Sequence, residues 1–387
     1  MIHNLDITDF LQNYWQKKPL LIKGAFPDYQ SPISAEELAG LACENFVESR
    51  IISEQQSEPN WILENGPFNE ERFASLPDSN WTLLIQGLNK IIPEIDDLLH
   101  QFTFIPTWRI DDLMASYAAP NGSVGPHIDQ YDVFLLQAKG RRHWKISEQP
   151  VAADNFEKNV PLKIIKSFQA ESEWILEAGD MLYLPPNIAH YGIGLEECMT
   201  FSIGFRAPSH AELLSDFIDE HLADLTDEQR YQDSDLSKNK YNGEISNATI
   251  SNVQNILLSH FNNLSNIEDW FGEFITRYLT EEDSADYIVN KNNVSAAEFK
   301  KLLSSSKELR RPANVRANYL HNTSSGLKLF INGQKFPIEK EVQEIAELFC
   351  NHHILNIESI NLLLKNDKNL NFLTQLYNDG FTELSGT

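Results

Sequence analysis

Between residues 133 and 203 the chain falls into five runs of three or four residues rich in β-branched and aromatic side chains, at 133–136, 144–146, 162–165, 181–184 and 200–203, with Gly, Pro and Asn between them. Such runs are too short for helices that bury a stripe, and they are not spaced for the long crossovers that a parallel sheet requires. The pattern predicts antiparallel strands closed into a sandwich or small barrel.

The flanks read differently. Residues 5–14 carry helical spacing, and Ser34 followed by Glu37 makes a capping box for a helix within 32–43. After Pro208 another capping box, Ser209-His210-Ala211-Glu212, opens a helix bearing Leu213, Leu214, Phe217, Ile218 and Leu222. A polar stretch at 227–247 reads as a loop, followed by a helix around 253–264 and another carrying Trp270, Phe271, Phe274, Ile275, Tyr278 and Leu279. That aromatic stripe suits either a core or a dimer face. From about Asp283 a small separate domain is expected, with a strand pair across 327–338 turning at Asn332-Gly333 and helices around 341–350, 357–364 and 370–377, a pattern compatible with a winged helix. The expected domains are thus 1–208, 209–280 and 281–387.

Charge excludes one class of partner. The chain carries 31 Lys and Arg against 56 Asp and Glu, a net charge of −25, and from Glu281 onward 12 against 14, so no domain shows a nucleic-acid footprint. A basic protein partner fits better. Three dispersed cysteines, Cys43, Cys198 and Cys350, form no CxxC pair and give no sign of a disulfide framework or a zinc-thiolate site. No run is long and apolar enough to cross a membrane, and residues 1–6 lack the features of a secretion signal, so a cytoplasmic address is expected.

The chemistry gathers at Gly125-Pro126-His127-Ile128-Asp129-Gln130-Tyr131-Asp132, directly before the apolar run. In extended chain, residues i and i+2 share a face, so His127 and Asp129 can reach one ion while Ile128 points away. A third donor arrives in Gly179-Asp180-Met181-Leu182-Tyr183-Leu184-Pro185-Pro186-Asn187-Ile188-Ala189-His190: a turn, a buried strand, a Pro-Pro stop, then a histidine. Two imidazoles and one carboxylate make the facial triad that suits non-heme Fe(II) and leaves positions open for co-substrate and dioxygen. The other HxE, His210-Ala211-Glu212, lies at a helix start, where i and i+2 diverge.

Gly140-Arg141-Arg142-His143-Trp144-Lys145-Ile146 adds a cation. Strand alternation places Arg142 on the apolar face with Trp144 and Ile146. A guanidinium there needs an anion, either a carboxylate of this chain or the distal carboxylate of 2-oxoglutarate.

The segments 125–144 and 179–190, with Phe201-Ser202-Ile203-Gly204-Phe205-Arg206-Ala207-Pro208 and the opening Phe10-Leu11-Gln12-Asn13-Tyr14-Trp15-Gln16-Lys17-Lys18-Pro19-Leu20, closely resemble the bacterial ribosomal oxygenases of the JmjC/cupin group. Specific motifs cover residues 1 to about 208; the C-terminal half resembles the family only in layout. The resemblance implies a mainly β catalytic core, a double-stranded β-helix, with an α-helical dimerisation segment and an α/β winged-helix-like C-terminal domain. It further implies a homodimer that uses Fe(II), 2-oxoglutarate and O2 to hydroxylate the β-carbon of an arginine on the sixteenth protein of the large ribosomal subunit. Relatives commonly carry lysine where Arg142 stands, and arginine there matches the bacterial arginine hydroxylases. By the same match Ser116 assists co-substrate binding. Tyr131 and Asp132 are candidates to hold a substrate guanidinium. The alternatives are a hydroxylase of histidine or asparagine, a non-oxidative metal-binding cupin, or an interaction module with an inert barrel.

Overall fold

The computed structural model describes residues 2–55, 60–158, 160–222, 225–226, 228–234, 243–262, 264–277, 293–322 and 326–385. It divides into two compact units, Met1–Ala207 and Pro208–Thr387.

The described residues of the first unit form strands β1 (Leu20–Ile22), β2 (Ser49–Glu54), β3 (Trp61–Asn65), β4 (Trp81–Ile85), β5 (Ile110–Ala118), β6 (Asp132–Lys139), β7 (Arg142–Ser147), β8 (Ser172–Leu176), β9 (Met181–Leu184), β10 (Ala189–Gly194) and β11 (Cys198–Phe205). Eight make one sheet in the order β1-β9-β6-β11-β5-β4-β2-β3, and β10-β7-β8 make the other. The pairings are antiparallel, as in the expected double-stranded β-helix. Helices α1 (Ile7–Asn13), α2 (Ala35–Leu41), α3 (Glu70–Ala74) and α4 (Pro93–Leu99) complete the unit; the Ser34–Glu37 capping box opens α2 as expected.

Strand parity explains the apolar runs. Along β6, Val133 and Leu135 pack with Trp144, Ile146, Leu176, Leu182 and Leu184 between the two sheets. Phe134, Leu136 and Ala138 face the opposite way, into a core shared with Phe10, Leu38, Phe73 and Ile95 of the helices. Strand β9 divides likewise: Leu182 and Leu184 one way, Met181 and Tyr183 the other. A strand covered on both faces cannot alternate apolar with polar, so it reads as a continuous hydrophobic run.

Two expectations are corrected. Residues 162–165 are not a strand of a sheet; they lie in the connection between β7 and β8, with one isolated bridge from Ile165 to Phe156. Their β-branched side chains serve a packed wall instead. Ile164 and Ile165 are buried, and Ile165 N donates to Pro126 O at 2.7 Å. The first hundred residues, read as helix and loop, also supply β1 to β4, which extend the large sheet on both sides.

In the second unit the Ser209–Glu212 box caps α5 (His210–Leu222), which precedes α6 (Asn247–Phe261) and α7 (Leu264–Thr276). There follow α8 (Ala296–Ser305), β12 (Glu308–Arg310), β13 (Ala317–Asn322), β14 (Gly326–Ile331), β15 (Gln334–Pro337), α9 (Gln343–Asn351), β16 (Ile354–Asn356), α10 (Ile357–Ile360), α11 (Asp367–Asn378) and β17 (Glu383–Ser385). The hairpin β14–β15 turns at Asn332 and Gly333, whose φ values of 47° and 78° suit a type I′ turn.

The aromatic stripe of α7 is core. Trp270 meets Phe217 of α5 edge-on at 5.1 Å, and Phe274 and Ile275 are buried. Lys328 of β14 bridges Glu268 and Asp269 at 3.0 and 2.8 Å, and Gly333 N donates to Thr276 Oγ1 at 3.0 Å. Helix α7 therefore packs on the hairpin, and the expected boundary near residue 280 separates elements that touch. Tyr278, Leu279 and residues 281–292 lie outside the described residues.

Candidate metal centre and co-substrate pocket

His127 and His190 are joined before their side chains meet anything. Their backbones form an isolated antiparallel bridge, His127 N to His190 O at 3.0 Å and His190 N to His127 O at 2.9 Å. Asn187 N donates to Asp129 O at 2.7 Å, which continues the pairing across the Pro-Pro turn. Gly125, just before His127, turns at φ +82°, where a side chain would be strained and a Cβ would stand 3.1 Å from Ile164.

The side chains converge as the spacing implied. Asp129 Oδ2 lies 3.9 Å from His127 Nε2 and 3.6 Å from His190 Nε2, and the donor atoms of the three residues all fall within 4.8 Å of one another. The 3.9 and 3.6 Å gaps exceed hydrogen-bonding distance and leave room for a small ion between the donors. Each imidazole presents its Nδ1 to a backbone carbonyl at 2.9 Å, His127 to Gly125 O and His190 to Ile188 O. Carbonyls only accept, so both Nδ1 atoms carry the proton and both Nε2 lone pairs point into the site. Burial, with His127 beside it, holds His190 well below the usual imidazole range and keeps it neutral. Ring tautomer, donor set and spacing fit a divalent metal.

The same cavity, about 290 Å³, is lined by His127, Asp129, His190, Ser116, Arg142 and Trp144. Arg142 is 3% exposed, and its guanidinium lies 5.4 Å from the Trp144 ring. Its Nη1 donates to Ser116 Oγ at 3.0 Å and Thr200 Oγ1 at 3.2 Å, while its buried Nε has no hydrogen-bond partner. Burial pulls its pKa down. Among the described residues no carboxylate pairs with it, so the internal ion pair that the sequence left open is not formed. A buried guanidinium held only by neutral oxygens is short of an anion, and the dicarboxylate fits that need.

Tyr131 also lines the cavity and is 42% exposed. Asp132 does not share its face. Fully buried, Asp132 accepts from Tyr183 Oη at 2.6 Å, Gln16 Nε2 at 3.0 Å and Arg109 Nη2 at 3.2 Å. Its oxygens are taken up inside the unit, which corrects the expectation that it meets a substrate. Parity along the strand was the available signal: 127, 129 and 131 fall on one side, 132 with Phe134 on the other. Asp112, passed over in the sequence, shares parity on β5 with the lining residues Met114 and Ser116. Burial first, then the charge of Asp111, pushes its carboxyl up to about 6.

Fold and site together define a JmjC-type oxygenase, and residues 97–213 match the JmjC domain family while 257–383 match the ROXA-like winged helix. The ribosomal protein uL16 3-hydroxylase of Escherichia coli (strain K12) is 38% identical over 281 residues, covering 73% of this chain and 74% of that protein. A probable ribosomal oxygenase of Haemophilus influenzae is 37% identical over 206 residues, 53% of this chain and 50% of the other. The solved structure of YcfD, a ribosomal oxygenase from Escherichia coli in complex with cobalt and 2-oxoglutarate, superposes with a TM-score of 0.85 at 32% identity, covering 100% of this chain and 99% of that one. The chain belongs to the JmjC ribosomal oxygenase family.

Proposed function

We propose that this enzyme, an Fe(II)- and 2-oxoglutarate-dependent dioxygenase, hydroxylates an arginine of large-subunit ribosomal protein uL16 at its β-carbon. The observation that carries the reading is the sharing of one cavity by a neutral two-histidine, one-carboxylate donor set and a buried guanidinium without a carboxylate partner. His127, Asp129 and His190 hold the iron, and Arg142, steadied by Ser116, receives the distal carboxylate. Iron with bound 2-oxoglutarate and dioxygen supplies oxidative decarboxylation to succinate and CO2, coupled to insertion of one oxygen atom into a C–H bond. The protein's own task is to orient one C–H bond and exclude water.

For the target, the name of the Escherichia coli relative points to uL16. Beside the cavity-lining Tyr131 stands Asp112, whose Oδ2 accepts from Gln86 Nε2 at 2.6 Å and Gly87 N at 3.0 Å and whose charge burial makes costly and a bound cation would relieve. The net charge of −25 favours encounter with a basic protein and gives no basis for nucleic-acid binding. No described helix is long and apolar enough to cross a membrane, and a cytoplasmic address goes with the proposed ribosomal target.

A homodimer is part of the same reading. Helix α5 exposes Leu214, Ile218 and Leu222 at 52, 42 and 55%, and α6 exposes Ile250, Val253 and Leu257 at 56, 42 and 57%. These positions repeat at i, i+4, i+8 and i, i+3, i+7, so each forms a stripe along one helix face, and a second copy would cover it.

Incubation with Fe(II), 2-oxoglutarate and ribosomal proteins of the same cell should yield one protein heavier by one oxygen atom, mapped by fragment-ion spectra to an arginine. Modification of histidine or asparagine instead would reject the arginine assignment, and loss of 2-oxoglutarate binding by the metal-loaded enzyme would point to a non-oxidative cupin.

A further inference from the structure

Building on the reading of Arg142 as co-substrate anchor, we propose that Thr200, oriented by Gln137, is the positioning residue that holds this guanidinium aimed yet un-neutralised, and thereby sets the requirement for a second carboxylate on the keto acid. Thr200 and Gln137 are both fully buried. Gln137 Nε2 donates to Lys139 O at 2.9 Å, so its Oε1 is the atom turned toward Thr200. Thr200 Oγ1 donates to that oxygen at 3.0 Å. With its single proton committed, the hydroxyl has only lone pairs left, and Arg142 Nη1 donates to them at 3.2 Å. Ser116 behaves alike: its Oγ donates to Thr200 O at 3.2 Å and accepts from Nη1 at 3.0 Å. The bonds therefore all run away from Arg142, through Thr200 Oγ1 to Gln137 on one branch and through Ser116 Oγ to the Thr200 carbonyl on the other.

The chemistry of the chain matters as much as its direction. A carboxylate at position 200 would hold Arg142 more strongly, but it would cancel the charge that the co-substrate must find. Neutral hydroxyls fix the geometry and leave the cation uncompensated. Binding then favours a keto acid that brings its own anion to this end and disfavours one with a methyl group there, since desolvating the guanidinium without an anion gains nothing.

The test uses the full chain loaded with Co(II) in the absence of oxygen. Calorimetry compares 2-oxoglutarate with 2-oxopentanoate, which ends in a methyl group instead of the distal carboxylate. Thr200→Val should weaken 2-oxoglutarate by about ten-fold or more, the range set by losing a hydrogen bond to a charged group. Thr200→Ser should restore it to within about two-fold, and 2-oxopentanoate should bind all three proteins equally. Wild-type affinity in Thr200→Val, or equal weakening of both ligands, would overturn the proposal. Arg142→Ala separates the two levels: if it leaves 2-oxoglutarate affinity unchanged, the anchor itself is misassigned, whereas a loss there beside an unaffected Thr200→Val defeats only the positioning role. Should Thr200→Val fail to fold, Gln137→Met removes the acceptor behind Thr200 and must weaken 2-oxoglutarate selectively for the proposal to stand.

Discussion

His127 and His190, 63 positions apart in the chain, exchange two backbone hydrogen bonds of 3.0 and 2.9 Å, and their rings lie 4.2 Å apart. The proposed metal site is thus built on a main-chain bridge, which survives changes to either side chain. His190→Ala and Asp129→Ala should therefore fold with nearly wild-type melting temperature while losing at least about 100-fold in Co(II) affinity, more than changes behind a ligand cost. Calorimetric titration with Co(II) checks this. Unaltered affinity in either variant would remove that residue from the donor set.

Asp132 holds the N-terminal segment to the barrel. It gathers Arg109, Gln16 and Tyr183 at 2.6–3.2 Å, and Arg109 Nε reaches Arg206 O at 2.6 Å. Asp132→Asn leaves a mostly buried guanidinium without its counter-charge. Since Arg109 retains some exposure, the cost should fall near the lower edge of the range for broken buried pairs, about 3 kcal/mol. Urea denaturation should show that loss, while 2-oxoglutarate affinity of the metal-loaded protein stays within about two-fold of wild type. A stable variant with failed co-substrate binding would return Asp132 to the active site.

Asp112 makes stability depend on pH. Its folded-state pKa of about 6 stands above the ordinary 3.8, so over the interval between them the native protein keeps a proton that the unfolded chain has released. The contribution of this group is full below the unfolded value, drains as pH rises from about 4 to about 6, and is absent above that. Asp112→Asn should match wild type at the acid end and be the more stable protein at pH 7. Denaturant midpoints measured between pH 4 and 7 will show whether the two curves diverge upward in this way; parallel curves would mean the carboxyl titrates normally. The same variant should lose affinity for an arginine-bearing uL16 peptide while still binding 2-oxoglutarate.

Much of the site was legible because it rests on strand parity, a property of sequence. His127 with Asp129, Arg142 with Trp144, and the third donor after Pro185-Pro186 all follow from alternation and a hard stop. Parity applied one residue further would have turned Asp132 away. What parity cannot supply is pairing at a distance. Strands β2 to β4 join the large sheet through partners rather than through any pattern of their own, and β8 mixes half-exposed and exposed positions before its one buried residue, Leu176. Residues 162–165 have strand composition, yet the cavity wall satisfies their apolar side chains without a ladder. Thr200 was invisible in the sequence as a partner of Arg142, since only the fold brings the two together.

Gly192 tests how closely the cavity is fitted. It lies opposite Trp144 in the β10–β7 register, and a Cβ on it would stand 2.7 Å from Cη2 and Cζ3 of the indole. Neighbouring backbone fixes Gly192, so the ring must move, and the ring is packed beside Arg142 and His190. Gly192→Ala should lower stability by about 1–3 kcal/mol, the usual cost of overpacking, and weaken 2-oxoglutarate binding by displacing the indole into the cavity that it lines. Pairing it with Trp144→Phe relieves the clash, because the smaller ring lacks the atoms that collide. The double variant should therefore be more stable than Gly192→Ala alone, a non-additive result readable by thermal denaturation. Strict additivity of the two changes would mean that the alanine is accommodated elsewhere and that the indole is not what limits the pocket at this point.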